Sequence, residues 1–233
     1  VIAAAFRVGN LAQNLLGEGT LSATFIPIYA RLREEGNDDE AVAFARSALG
    51  LLAVAVALFT AAGVALAPWL TLAVAAGFDA DKLAVTTRLV RLLFPMTGLL
   101  VLCAWALGVL NAHRRFFIPY VAPVIWSTAQ ISALLIGGGW LAYADEPLAR
   151  LLAYGALVGA ALELAFLMWR ARAHLGTLRA SLAHRSQAIR DAVSRLPNVL
   201  LGRGVIQISG LLDTLLVSFL GTGANAVFGF AQR

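Results

Sequence analysis

The chain has 233 residues, of which 60% are hydrophobic and only 13% charged, whereas a soluble domain runs at about 45–50% apolar and about 25% charged. Residues 47–78 and 116–144 carry no Asp, Glu, Lys or Arg, and a membrane span needs about 20 such residues, so a soluble globular domain is excluded. The net charge of +5 resides mainly in short connections between apolar runs, which points to membrane topology and away from nucleic acid.

Apolar segments lie near 1–30, 47–76, 86–112, 116–143, 148–169 and 196–220, and a seventh opens near 224. None alternates with a period of two, so the expected fold is all-α, a polytopic bundle of membrane helices. Recurrence of the runs along the whole chain rules out a cleaved leader as their explanation. The text opens without methionine inside the apolar VIAAAF and stops inside another apolar segment, which reads as a fragment with room for one preceding helix.

In the first segment Arg7, Asn10, Asn14 and Glu18 follow i, i+3, i+7 and i+11, within about 80° on an unbroken helix. Charges inside a span are costly and usually face a bundle interior or a water-filled cavity. Two readings follow: a stripe that lines a cavity, or polar side chains that satisfy neighbouring helices. Gly17, Gly19 and Pro27 predict a bend or a local opening in this segment.

The connections near 31–46, 113–115 and 170–195 carry Arg31, Arg33, Arg46, Arg114, Arg115, Arg170, Arg172, Arg179, Arg185, Arg190 and Arg195. The alternate connections carry Lys82 and Arg150, with Arg88 and Arg91 near a helix start. The basic set is therefore expected on the cytoplasmic side, and Trp69 and Trp140 fall near the outer ends, where aromatic belts form. Cys103, the only cysteine, lies in an apolar run, so neither a disulfide framework nor a thiolate metal site is expected.

Glu163 is alone in its span, and neutralising a neighbouring arginine is the simplest role for it. Within 170–195, Leu175, Leu178, Leu182 and Ile189 recur at helical spacing; an amphipathic helix at the membrane surface and a solvated, partly helical linker both fit. Arg203 and Asp213 share the next segment, with Gln207 between them, and are expected to find partners on other helices, in packing or at a ligand. Arg233 follows Gly229-Phe230-Ala231-Gln232; its guanidinium suits a phosphate or carboxylate, and snorkelling to headgroups is the alternative. His113, His174 and His184 fall in or near the basic connections, and no HExxH, GxSxG or P-loop spacing occurs, so a transporter is expected in preference to an enzyme.

Three stretches carry a family resemblance: FRVGNLAQNLLGEGTLSATFIPIYAR from Phe6, LNAHRRFFIPYVAPVIWSTAQI from Leu110 and GRGVIQISGLLDTLLVSFLGTGANAVFGFAQR from Gly202. In order and spacing they resemble the MurJ (MviN) lipid II flippase family of the MOP exporter superfamily. The first is similar to the family's F-R/K-x-P-N-L, A-E-G and F-x-P pattern, and the second to its L-N-A and F-x-x-P-x-x-A-P pattern. Gly9 stands in place of the family proline and Gly17 in place of the alanine; Gln13 replaces a cavity arginine, and Asn14 follows where arginine is also frequent.

The resemblance implies a two-lobed transporter whose central cavity opens alternately to each side of the bacterial inner membrane. Residues 1–172 would form a first lobe lacking its initial helix, 173–195 a basic cytoplasmic linker, and 196–233 the start of the second lobe. The implied cavity residues are Arg7, Asn10, Gln13, Asn14, Glu18 and Arg233, with Glu163, Arg203 and Asp213 as structural or cavity polar groups. The implied activity is flipping of lipid II, the undecaprenyl-pyrophosphate-linked peptidoglycan precursor, driven by membrane potential or a monovalent ion, with no cofactor and no metal. Membrane lipids and cell-wall synthesis proteins are the implied partners. The amide at Gln13 cannot supply the Coulomb attraction of a guanidinium, which keeps two alternatives open: export of another polyprenyl-pyrophosphate glycan, and a membrane scaffold that no longer flips.

Overall fold

The computed structural model describes residues 2–114, 117–176 and 187–219, and within them the chain is helical, without strands. The first apolar segment is not one helix but three: α1 (Ile2–Leu16), α2 (Glu18–Thr24) and α3 (Ile26–Glu34). Long helices follow as α4 (Asp38–Ala75), α5 (Ala80–Ala112) and α6 (Phe117–Leu134), the last passing into a π-helical turn, Leu135–Trp140. The remaining two are α7 (Asp145–Leu175) and α8 (Gln187–Ser218). Among the described helices α4, α5, α6 with its π-helical end, and α7 are long and apolar enough to cross a membrane.

Local chemistry accounts for the breaks. The Gly17 N–H donates to the Gln13 carbonyl at 2.6 Å, and a Cβ on Gly17 would lie 2.4 Å from that same oxygen, so only glycine makes this corner without displacement. Pro27 sits in the first turn of α3, where its missing N–H and fixed φ cost little. Pro68, Pro95 and Pro123 lie inside long helices, as membrane helices tolerate. At the start of α5 the Asp79 carboxylate accepts from the Lys82 N–H at 2.9 Å and meets Lys82 Nζ at 2.9 Å. Hydrogen bonds from the Lys82 side chain and backbone hold the Asp79 carboxyl below the ordinary carboxylate range, so the cap persists at neutral pH and is lost as pH falls through that lowered value.

Helix α5 is the centre of the bundle, packed against α1, α4 and α7. Phe25, at the α2–α3 junction, stacks on Tyr29 at 5.5 Å and on Phe44 of α4 at 5.3 Å, and tilts toward Trp105 of α5 at 6.2 Å. Helix α7 presents Gly155 and Gly159 to α6, a small-xxx-small pair that lets backbones approach without bulky side chains. A Cβ at Gly155 would lie 2.5 Å from the Ala133 Cβ, and one at Gly159 would lie 2.9 Å from the Ala129 Cβ. Trp126 Nε1 donates to the Ala156 carbonyl at 3.0 Å across this contact. Gly159→Leu is therefore expected to cost about 1–3 kcal/mol through overpacking, read as a lower unfolding temperature of the membrane-inserted protein, whereas an unchanged midpoint would separate α6 from α7. Apolar side chains such as Leu58, Trp69, Tyr120 and Leu135 face outward, the pattern of a surface bathed in lipid.

The three basic connections converge at one end of the bundle. Tyr29 Oη meets His113 Nε2 at 3.0 Å, Arg33 Nη1 donates to the Ala112 carbonyl at 3.1 Å, and Arg46 Nη2 donates to the Leu175 carbonyl at 2.5 Å. At the opposite end Arg88 and Arg150 share the Glu146 carboxylate, at 3.5 and 2.5 Å. This separation agrees with the alternation of basic and less basic connections along the chain, and Trp69 and Trp140 are both exposed.

The 170–195 stretch is not a separate surface helix in its described parts. Its first residues complete α7 as far as Leu175, and Gln187 already opens α8, which continues unbroken through Pro197 into the apolar text. Leu175 and Ile189, two members of the expected stripe, are both buried in the core. Leu178 and Leu182 lie outside the described residues, as do the segment expected near 224 and Arg233.

Candidate functional site: the polar edge of the broken first span

Ala4, Ala5, Val8 and Gly9 bury one face of α1, and α1 packs on α5. A Cβ at Gly9 would stand 3.0 Å from Thr97 Oγ1 of α5, so this close approach fits glycine better than a larger residue. The opposite edge carries the polar residues: Asn10 and Asn14 are exposed, Arg7 and Gln13 half-buried. Arg7 and Asn14 each have interaction partners. The helical spacing thus places Arg7, Asn10 and Asn14 together, and Gln13 flanks them.

Glu18 departs from that stripe. Because α1 ends at Leu16 and Gly17 turns the chain, Glu18 begins α2, and extrapolating an unbroken helical register to it fails. Arg203 and Asp213 lie on α8, which packs against α1, α2 and α4, so the two polar helices are neighbours. The side chains of Glu18, Arg203 and Asp213 lie outside the described residues.

Glu163 does not join this edge. It is 3% exposed, on α7, which packs with α4, α5 and α6, and it is close enough to Cys103 of α5 to act on it electrostatically. Among the described residues no ion pair reaches its carboxylate, so the arginine neighbour expected for it is not found there. No group of three or more His, Cys, Asp and Glu that could hold a metal occurs among the described residues.

A guanidinium with amide side chains along one exposed helix edge offers several N–H donors and little negative charge, which suits a phosphate or another anion. Sequence reasoning missed a second cluster, at the basic end: Tyr29, Arg33, Asp38, His113 and His174 line a cavity of about 340 Å³. The available signal was the placement of both histidines beside basic connections.

A family model described as "Lipid II flippase MurJ" matches residues 1–233, the whole chain. The chain belongs to the lipid II flippase MurJ family. Among curated relatives it is 30% identical over 233 residues to the lipid II flippase MurJ of Burkholderia cenocepacia, covering 98% of this chain and 45% of that protein. It is 32% identical over 243 residues to a probable lipid II flippase MurJ of Rhizobium tropici, covering 100% and 44%. A solved structure described as lipid II flippase MurJ in an inward closed conformation superposes with a TM-score of 0.77 at 18% identity, over 99% of this chain and 47% of that one. The last comparison establishes the MurJ fold. The chain spans less than half the length of these relatives.

Proposed function

We propose that the protein flips lipid II from the cytoplasmic to the outer leaflet of the bacterial inner membrane by alternating access. The observation that carries this reading is the match of the MurJ family model to every residue of the chain. Residues 1–172 serve as the first lobe, and α8 leads into the second. The polar edge of α1, with Arg7, Asn10, Gln13 and Asn14, faces the cavity and holds the pyrophosphate of the substrate together with Arg233, while the lipid tail stays in the bilayer. Gln13 contributes hydrogen bonds without charge, which leaves the Coulomb attraction to the arginines. Membrane potential or a monovalent ion drives the return, since one charge moved through 100 mV is worth about 2.3 kcal/mol.

The test expresses the full-length protein in bacteria depleted of their own flippase and quantifies lipid II accessible at the cell surface. Parent protein is expected to restore it, and Arg233→Ala and Arg7→Ala to lower the flipping rate about tenfold or more at equal membrane abundance, because each removes a charge-assisted hydrogen bond worth about 1.5–3 kcal/mol. Stable insertion of the parent without restoration would overturn lipid II as the substrate.

A further inference from the structure

The seam between α6 and α7 finishes, at the basic end of the bundle, in arginines and exposed rings. Gly155 of α7 lies against Ala133 of α6, and Gly159 against Ala129 and Trp126, so the two helices run antiparallel. Phe166 and Arg170 follow Gly159 at i+7 and i+11 and continue that face of α7 within about 20°. From Gly159 to Arg170 the helix advances about 16 Å, and from Trp126 back to Phe117 α6 retraces about 14 Å, so Arg170 comes level with the first turn of α6. Phe117 and Tyr120 of α6 are exposed, as is Trp169 beside Arg170. The Arg170 guanidinium carbon lies 5.3 Å from the centre of the Trp169 ring. Arg114 reaches the same end from α5: it is exposed, with φ 56°, and follows His113, whose ring stacks on His174 one turn beyond Arg170.

A ring holds a guanidinium without neutralising it, and arginine keeps its charge throughout the working pH range. Among the described residues no carboxylate pairs with Arg114 or Arg170. Helix α6 contains no acidic residue, Asp145 and Glu146 of α7 lie at its opposite end, and Glu163 is buried in the core. Asp38, at the basic end, meets Arg33 at 3.6 Å. The seam therefore presents two arginines free of carboxylates beside three exposed aromatic side chains. A phosphate that carries acyl chains matches both halves: guanidinium forks bind phosphate oxygens, and Trp and Tyr settle where the polar and apolar layers of a membrane meet.

We infer that this end of the α6–α7 seam is a binding site for the headgroup phosphate of an anionic phospholipid, held by Arg170 and Arg114 with its acyl chains against Phe117, Tyr120 and Trp169. The lipid belongs to the surrounding leaflet and binds on helices other than α1, so the site stands whatever the polar edge of α1 transports. Arg172 supplies the internal comparison. It is exposed and equally without a carboxylate partner, but lies about 160° around the helix from Arg170. It adds to the positive field at this end without reaching the seam.

The experiment places the purified full-length protein in phosphatidylcholine nanodiscs that contain a trace of photoreactive phosphatidylglycerol or of photoreactive phosphatidylcholine, each with its reactive group near the headgroup. Cross-linked residues are then mapped by mass spectrometry. The expected result is a phosphatidylglycerol adduct on the first turn of α6 or the last turns of α7, about fivefold above phosphatidylcholine, the worth of one arginine at an anionic headgroup. Arg170→Gln is expected to remove most of that preference and Arg172→Gln to leave it intact. If Arg170→Gln proves unstable, Arg114→Gln, in the connection between helices, takes its place with the same expectation. Equal labelling by the two lipids, adducts confined to other parts of the protein, or a preference that survives both Arg170→Gln and Arg114→Gln would overturn the site. Equal losses from Arg170→Gln and Arg172→Gln would overturn it in favour of a diffuse positive field.

Discussion

Phe25→Ala is expected to lower the stability of the bundle by about 3–5 kcal/mol, the range for removing a fully buried phenylalanine. Phe25 is 2% exposed and touches rings from three directions, Tyr29, Phe44 and Trp105. In lipid the apolar tails compete for buried apolar surface, so helix association rests largely on close packing, and the loss here is chiefly one of dispersion contacts around an unfilled cavity. Phe25 also carries the backbone across the α2–α3 junction, its N–H donating to the Leu21 carbonyl at 2.8 Å and its own carbonyl accepting from Tyr29 at 3.0 Å. The variant should therefore expose the connection after α3 to protease before global unfolding. Phe25→Leu, which keeps most of the volume, should cost less than about 1.5 kcal/mol. Equal midpoints for parent and alanine variant in the same nanodiscs would show that the ring cluster does not hold the junction.

Gly63→Ala should also be destabilising, although it adds only one methyl group. A Cβ at Gly63 would fall 2.0 Å from Phe94 Cδ1 and Cε1, so the ring must move or the α4–α5 interface must open. Phe94 is 2% exposed and packs against Phe59 at 5.6 Å, which leaves the ring little room to yield. Overpacking of this kind costs about 1–3 kcal/mol. The double variant Gly63→Ala with Phe94→Leu should recover part of that loss, a coupling expected between residues in contact. Strict additivity of the two changes in thermal unfolding would refute direct packing of Gly63 on Phe94.

The helical class and the long spans were legible because lipid imposes unbroken apolar text on each span, and the charged residues at helix ends merely extend α4, α5 and α7 beyond it. The break in the first span was legible for a backbone reason, since Gly17 and Pro27 alter allowed geometry whatever surrounds them. The displacement of Glu18 was not, because helical spacing presumes the continuity that Gly17 removes. Leu175 and Ile189 show a related ambiguity: spacing of this kind marks an apolar face without saying whether lipid or other helices cover it, and here helices do. The His113–His174 contact had no local signature, as it depends on α5 and α7 ending at the same level of the bundle. At the candidate site periodicity placed Asn10 and Asn14 on one side of α1 but left open whether a cavity or neighbouring helices face them, and the neighbourhood of α1 and α8 is a tertiary fact.

The two ends of the bundle are fastened by different means. At the basic end, side chains donate to the final carbonyls of α5 and α7, through Arg33 to Ala112 and Arg46 to Leu175, tying one helix to the backbone of another. At the far end the cross-link between α5 and α7 is Arg88 to Glu146 at 3.5 Å, with the arginine side chain 62% accessible, and exposed pairs of this kind contribute only about 0–1 kcal/mol. Nearby, α6 closes in a π-helical turn whose text contains three consecutive glycines, Gly137, Gly138 and Gly139. The bundle is accordingly tied by arginine-to-backbone bonds at one end and by an exposed ion pair at the other, so weakening the arginine-tied end requires breaking bonds to helix carbonyls.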